Sequence, residues 1–384
     1  MLSQYFKSPS HVRLLLSRPG GPLLESYVQY LEQRGYAKSS ICTNIAAASH
    51  FLYWTDREGM PPTSLNELAL ERFSGHLRRC QCQGFRRQRS VVLLSGARMF
   101  LMHQGRIGAR PIGLAALAAD MKSAQFFAFC QWMRQQRGTS DATLYNHGIA
   151  LRDLFRRIGD DPRKLDAREL RQFILEQSKQ KGWAAAKQCT TALRMLVRFY
   201  IAEGKCATGL EAAIPALAHW RLSTLPRYLQ VDEVEQVIAS CDTATPTGQR
   251  DRAILLLLAR LGLRASEVWH LRIGDIDWKA ASISVMGKNR RQTLLPLTQE
   301  VGSAIVNYLQ QGRPRTEADA VFVRARAPFQ AFADHAAISI IVEKAMRRAG
   351  VTCSSRGAAH ALRHSVATSM LAQGASLQDR RASM

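Results

Sequence analysis

Long hydrophobic runs are absent from this sequence. The longest aliphatic stretch, Ala253 to Ala259, is far below the roughly 20 residues a helix needs to span a bilayer, so no membrane partner is expected. The first 22 residues lack a basic patch followed by an apolar stretch and a small-residue cleavage site. That pattern argues against a secretory leader and predicts a cytoplasmic protein. Cysteine is sparse in pattern rather than in number. Of the eight (Cys42, Cys80, Cys82, Cys130, Cys189, Cys206, Cys241 and Cys353), only Cys80 and Cys82 lie close together. A C-x-C without a second Cys or His pair nearby is a poor zinc motif, so the expectation is reduced thiols with no metal and no cofactor. Acidic residues are also short in supply, with 30 Asp and Glu against 53 Lys and Arg, a formal charge of +23 over 384 residues.

What remains is a globular composition, 46% apolar and 22% charged, which excludes a disordered tail protein. The length suggests two or three domains. The basic excess is spread along the chain: 15 basic and 7 acidic side chains in residues 1–120, 16 and 9 in 121–220, and 22 and 14 in 221–384. A polyanion contacted along the whole body, nucleic acid above all, accounts for this better than a small acidic substrate. A merely solvated, Arg-rich surface is the competing reading.

The chain also repeats itself. Gln29-Tyr30-Leu31, ending at Arg34-Gly35, parallels Gln131-Trp132-Met133, ending at Arg137-Gly138. Leu65, Leu70 and Phe73 match Leu165, Leu170 and Phe173, and Phe100 and Gly105 match Phe199 and Gly204. Apolar spacing within each copy is helical: Phe126, Phe127, Cys130 and Met133 fall at i, i+1, i+4 and i+7. Thr139 or Ser140 is expected to cap one helix, and Asp166 to open the next through Leu175. Each copy therefore reads as a module of four or five helices. Gly108 to Ala119, with Pro111, reads as the linker between them.

After Trp220 the texture changes. Ala281 to Met286 and Gln292 to Leu297 have β-character and flank Gly287-Lys288-Asn289-Arg290, which predicts a hairpin with Lys288 at its tip. An apolar helix is expected over Asp251 to Leu261, stopping at Gly262, with Arg264 immediately after in Gly262-Leu-Arg-Ala-Ser-Glu-Val268. By itself, Arg264 reads first as a capping or salt-bridging arginine paired with Glu267. Further on, His360-Ala-Leu-Arg363-His364 opens a helix and places three cationic or hydrogen-bonding groups on one face. A guanidinium beside an imidazole suits a phosphodiester, the one holding non-bridging oxygens and the other trading a proton. Zinc is disfavoured there because no third ligand stands nearby.

Taken together, Arg264 in G-L-R-x-S-E, Lys288 on a hairpin, and His360-x-x-Arg363-His364 occur in the order and rough spacing of the tyrosine recombinase, or phage integrase, family. The stretch Leu225 to Val234 also resembles the start of that family's catalytic domain. The resemblance covers about residues 122–379, with 20–106 as an apparent second copy of the helical core-binding module. It implies a mainly α fold with a small antiparallel β-sheet in the C-terminal domain. The implied domains are two core-binding (SAM-like) modules at 20–108 and 122–218, then a catalytic domain at 227–384, incomplete at its C-terminus. The implied activity is DNA strand exchange for integration, excision or transposition of a mobile element, on double-stranded DNA and as a homo-oligomer on it, without metal or nucleotide. Carried over residue by residue, Arg264 and Arg363 would clamp the scissile phosphate with His360, and Lys288 would protonate the leaving 5′ oxygen. His364 would be mostly structural.

The family's nucleophile is a tyrosine beyond the second arginine, giving a 3′-phosphotyrosyl link. The nine tyrosines here are Tyr5, Tyr27, Tyr30, Tyr36, Tyr53, Tyr145, Tyr200, Tyr228 and Tyr308, and none follows Arg363. A truncated or frameshifted reading frame, and hence lost cleavage, is the expectation. Tyr308 is a poor substitute because it lies on an apparently amphipathic helix over Val301 to Gln310. Two other functions compete: a DNA-binding accessory or competitor at recombination sites, and a helical scaffold or RNA-binding repeat protein.

Overall fold

The computed structural model describes the chain except for residues 18–19, 86–88, 109–112, 218–227, 288–291, 353–356, 373 and 375–384. The chain divides into two compact units, one formed by residues 1–107 with 224–384 and the other by 108–223. The architecture is mainly helical, with one three-stranded antiparallel sheet. Among the described residues, no helix is long and apolar enough to cross a membrane.

Residues 1–107 carry α1 (Pro9–Ser17), α2 (Gly21–Gln33), α3 (Lys38–Arg57), α4 (Glu67–Leu77) and α5 (Ser90–His103). The apolar faces of α2 to α5 converge on Tyr27, Phe51, Phe73 and Phe100, each no more than 1% exposed. Asn66 caps α4 by accepting from the amides of Leu68 and Ala69, which satisfies two donors that the first turn leaves open.

The second unit contains α6 (Gly113–Met121), α7 (Ala124–Arg137), α8 (Asp141–Ile158), α9 (Ala167–Lys181) and α10 (Trp183–Ala202). Its core centres on Phe126, Phe129, Phe173, Phe199 and Tyr200. Ser140 caps α8 through the amide of Thr143, and Asp166 caps α9 through that of Glu169. With that cap in place α9 runs to Lys181, one and a half turns past the expected Leu175. The linker expected over Gly108 to Ala119 is overturned in its second half. Gly113–Met121 is helix α6, and Leu114 and Leu117 are buried in this core. Alanine and leucine are strong helix formers, and the i, i+3 leucines give the short helix an apolar stripe.

Residues 224–384 hold α11 (Val231–Ala239), α12 (Pro246–Arg260), α13 (Ala265–His270), β1 (Ile276–Asp277), β2 (Ser282–Met286), β3 (Gln292–Pro296), α14 (Gln299–Asn307), α15 (Ala336–Arg348) and α16 (Ala358–Ala372). The expected strands pair, Ile283 opposite Leu295 and Met286 opposite Gln292, and β1 adds a third at Ile276 opposite Ile283. Helix α12 is buried along its apolar run, Ala253 to Ala259, as an element that is hydrophobic all round must be. It begins at Pro246 rather than Asp251 because Thr245 accepts from the amide of Gly248 and proline suits the first helical position. This helix is the platform from which the site below is built.

Candidate active site

Helix α12 ends just before Gly262, whose φ of +61° is a conformation that costs glycine little. The turn delivers Arg264 to the N-cap of α13. There its amide donates to Glu267 Oε2 at 2.7 Å and its Nη1 to Glu267 Oε1 at 2.5 Å. The capping arrangement read as an alternative from the sequence is therefore present, and it fixes the arginine rather than hiding it. The Arg264 side chain keeps 36% of its surface exposed, whereas Glu267 keeps 6%.

Helix α16 brings the second arginine to the same place. Arg363 is buried, its Nη1 donating to the carbonyl of Gly262 and standing 3.9 Å from Glu267 Oε2. Burial holds the Arg363 pKa below the ordinary arginine value, the Arg264 charge lowers it further, and Glu267 opposes both. Two guanidinium groups thus share one buried carboxylate. Both stay charged, so the cluster has one positive charge in excess, in a setting where charge is poorly screened. A monoanionic phosphodiester would complete its neutralisation. Glu267 was visible in the sequence only as a partner for Arg264; its bridging role depends on α16 arriving from a hundred residues away.

His360 lies one turn before Arg363 on α16 and is exposed. Its ring stands edge-on to that of His364, with centroids 4.5 Å apart at 85°. Ser365, which the sequence reading did not single out, fastens α16: its hydroxyl accepts from the amide of Leu229 at 2.8 Å and donates to the carbonyl of Ala361 at 3.0 Å. Lys288 lies outside the described residues, although the strands leading to it, β2 and β3, are paired. The structure thus unites Arg264 with Arg363, and His360 with His364. The helix expected over Val301 to Gln310 is present as α14 to Asn307, continued by a π-helix over Tyr308–Gly312 that carries Tyr308. The residue is 1% exposed, its hydroxyl accepts from the amide of Val323, and burial raises its pKa. Such a phenol is closed to chemistry.

One expectation about metal ligands also changes. The C-x-C of Cys80 and Cys82 does have a histidine pair nearby, because α3 and α4 carry His50 and His76 to it.

Residues 227–380 match the model of the phage integrase family. The Sinorhizobium fredii protein y4rA, named as an integrase/recombinase, is 32% identical over 371 residues, 94% of this chain and 88% of its own length. The tyrosine recombinase XerD of Lacticaseibacillus casei is 32% identical over 212 residues, 54% of this chain and 69% of its own. In fold, the chain is similar to a lambda integrase tetramer bound to a Holliday junction, with a TM-score of 0.51 at 17% identity, covering 79% of this chain and 86% of the other.

Proposed function

Because the chain belongs to the phage integrase family of tyrosine recombinases, we propose that it acts on double-stranded DNA at recombination sites, with Arg264, Arg363, His360 and Lys288 assembled around one scissile phosphate. The two arginines bridged by Glu267 carry this reading. In phosphoryl transfer, charge develops on the equatorial oxygens, and donors held in place before the reaction stabilise it most. Arg264 is exposed on one side and pinned on the other, so it can face the phosphate without reorganising. Arg363, anchored on the Gly262 carbonyl, supplies the second fork. His360 would hydrogen-bond a non-bridging oxygen, and Lys288 would give a proton to the departing 5′ oxygen. No metal has a part in this scheme.

In the same proposal residues 20–108 and 122–218 are two helical modules that clasp the duplex, residues 227–384 are the phosphate-binding domain, and the protein works as an oligomer on DNA. The spread of positive charge over all three segments supports the clasp, and the DNA-bound tetramer of lambda integrase supports the assembly. All nine tyrosines precede Arg363, and Tyr27, Tyr200 and Tyr308 are buried. In this proposal these residues grip the phosphate, and none of the nine tyrosines stands at the family's nucleophile position beyond Arg363.

A nicked suicide duplex tests both halves. The expected result is retention of DNA with a steep salt dependence, since each neutralised phosphate contributes a slope of about −0.9, and no covalent adduct. Replacing Arg264 and Arg363 together by alanine should abolish retention of the nicked site at moderate salt. An adduct mapped to any tyrosine would overturn the loss of cleavage. Retention unchanged in the double variant would overturn the clamp.

A further inference from the structure

A second cluster of chemically active side chains stands in the first helical module. His50 lies on α3, His76 in the last turn of α4, and Cys80 and Cys82 in the segment that follows. One ligand atom from each lies within 4.8 Å of the other three. Cys80 Sγ is 3.4 Å from His50 Nε2, and Cys82 Sγ is 3.4 Å from His76 Nε2. A tetrahedral ion with Zn–S near 2.3 Å and Zn–N near 2.0–2.1 Å sets adjacent sulfur and nitrogen ligands roughly 3.6 Å apart. The two sulfur–nitrogen pairs are already at that spacing, and all four donors lie within 4.8 Å of one another.

The rings are held where they are. His50 stacks on Phe85 with centroids 4.4 Å apart and meets Phe73 edge-on at 5.4 Å. His76 stacks on Trp54 at 5.5 Å and on Phe73 at 5.9 Å. Aromatic walls of this kind fix ring orientation before any ion arrives, as a binding constellation requires. The donor set is also selective. Two thiolates with two imidazoles favour a tetrahedral, borderline-soft ion over magnesium or calcium, and four protein ligands leave no open position, which marks a structural rather than a catalytic centre. Two thiolates also cancel the double charge of the ion, so the bound centre would be neutral beside this basic chain.

The site answers a need of the fold. Between α4, ending at Leu77, and α5, starting at Ser90, the described residues form neither helix nor strand. Such a segment has little core of its own, and a metal can supply the missing fixation.

We propose that His50, His76, Cys80 and Cys82 bind one divalent ion of the zinc class, a structural centre that fastens residues 78–85 to α3 and α4.

The test uses the full chain, untagged, loaded with zinc under reducing conditions and dialysed. Metal analysis should find about one zinc per chain, and the Cys80→Ser/Cys82→Ser double variant should retain less than about a tenth of that. Cobalt substituted for zinc should give a thiolate-to-cobalt charge-transfer band in the parent chain and none in the variant, while Cys42→Ser keeps both metal and band. A parent chain that binds no zinc, or a double variant that binds as much, overturns the site. Should the double variant fail to fold, alkylation of the parent decides. Cys80 and Cys82 should react at least about tenfold more slowly in the loaded chain than after chelation, with Cys206 unchanged. Equal rates would overturn the proposal.

Discussion

The two helical modules follow one plan and finish it differently. Helices α2 to α5 and α7 to α10 succeed one another in the same order. A short 3₁₀ turn falls at the same point in each, Pro62–Ser64 and Pro162–Lys164. A side-chain cap then opens the next helix, Asn66 in one and Asp166 in the other. The divergence lies after that helix. In the second module α9 runs for 15 residues, and Gly182 alone separates it from α10. In the first, α4 has 11 residues and residues 78–89 intervene before α5. At the offset of 100 that aligns Leu65 with Leu165, His76 falls on Glu176, which pairs with Arg157. One framework is thus closed by a longer helix and surface charges, and the other carries the His50, His76, Cys80 and Cys82 cluster in that place. The lesson is that the aromatic core specifies the module, while its end is free to be secured by different chemistry.

The strongest test of that comparison removes the shared aromatic. Phe73 and Phe173 are each no more than 1% exposed, and truncation of such a residue to alanine costs about 3–5 kcal/mol. Their surroundings differ. Phe73 packs against Phe51, Trp54, His50 and His76, whereas Phe173 lies under the Arg157 guanidinium at 5.7 Å. Phe73→Ala should therefore cost both stability and zinc, and Phe173→Ala stability alone. Amide exchange in α4 and α9, read with metal content, checks this. Equal zinc in both variants would break the contrast.

A smaller effect in the second module depends on pH. His147 on α8 is 8% exposed and meets Phe129 edge-on, and burial lowers its pKa. The unfolded chain then binds a proton more readily than the folded one, so stability falls as pH drops below the ordinary histidine value of about 6.5, by up to about 1.4 kcal/mol per pH unit. His147→Leu should flatten the acid-side loss of protection in α8 and α10. An unchanged slope would place the acid sensitivity elsewhere.

Capping comes next. Asn66→Ala and Asp166→Ala should each cost about 1 kcal/mol, read as faster exchange in the first turns of α4 and α9. Near-equal losses would support a common plan; a large difference would mean that the two turns are held by unlike contacts.

How much of this was legible in the chain differs by feature. The duplicated leucines and phenylalanines were, because core positions recur at helical spacing whatever surrounds them. So were the two paired strands, since Ser282 to Met286 and Gln292 to Pro296 have β-character, and so was the Arg264–Glu267 pair, which lies three residues apart. Helix α6 was hidden by Pro111, read as a linker signal although it precedes the helix rather than interrupting it. The bridge from Glu267 to Arg363 and the meeting of His50 with Cys80 were not visible at all. Both depend on helices packed from distant parts of the sequence, and no local spacing encodes them.

The smallest expected effect concerns the surface that stands where the first module has its cluster. Arg157 donates to Glu169 at 2.9 Å and also pairs with Glu176, and the same guanidinium covers Phe173. These groups are partly exposed, so solvent and salt screen the pairing and its contribution stays below that of a cap. Glu176→Gln should change exchange in α9 only slightly, and the change should vanish at high salt. Arg157→Ala should persist at high salt, because it also strips the stem and cation from the Phe173 ring. Loss of both effects at high salt would leave the pairing purely coulombic. An effect of Glu176→Gln as large as that of Asp166→Ala would show instead that charge closes the second module as firmly as the metal site is proposed to close the first.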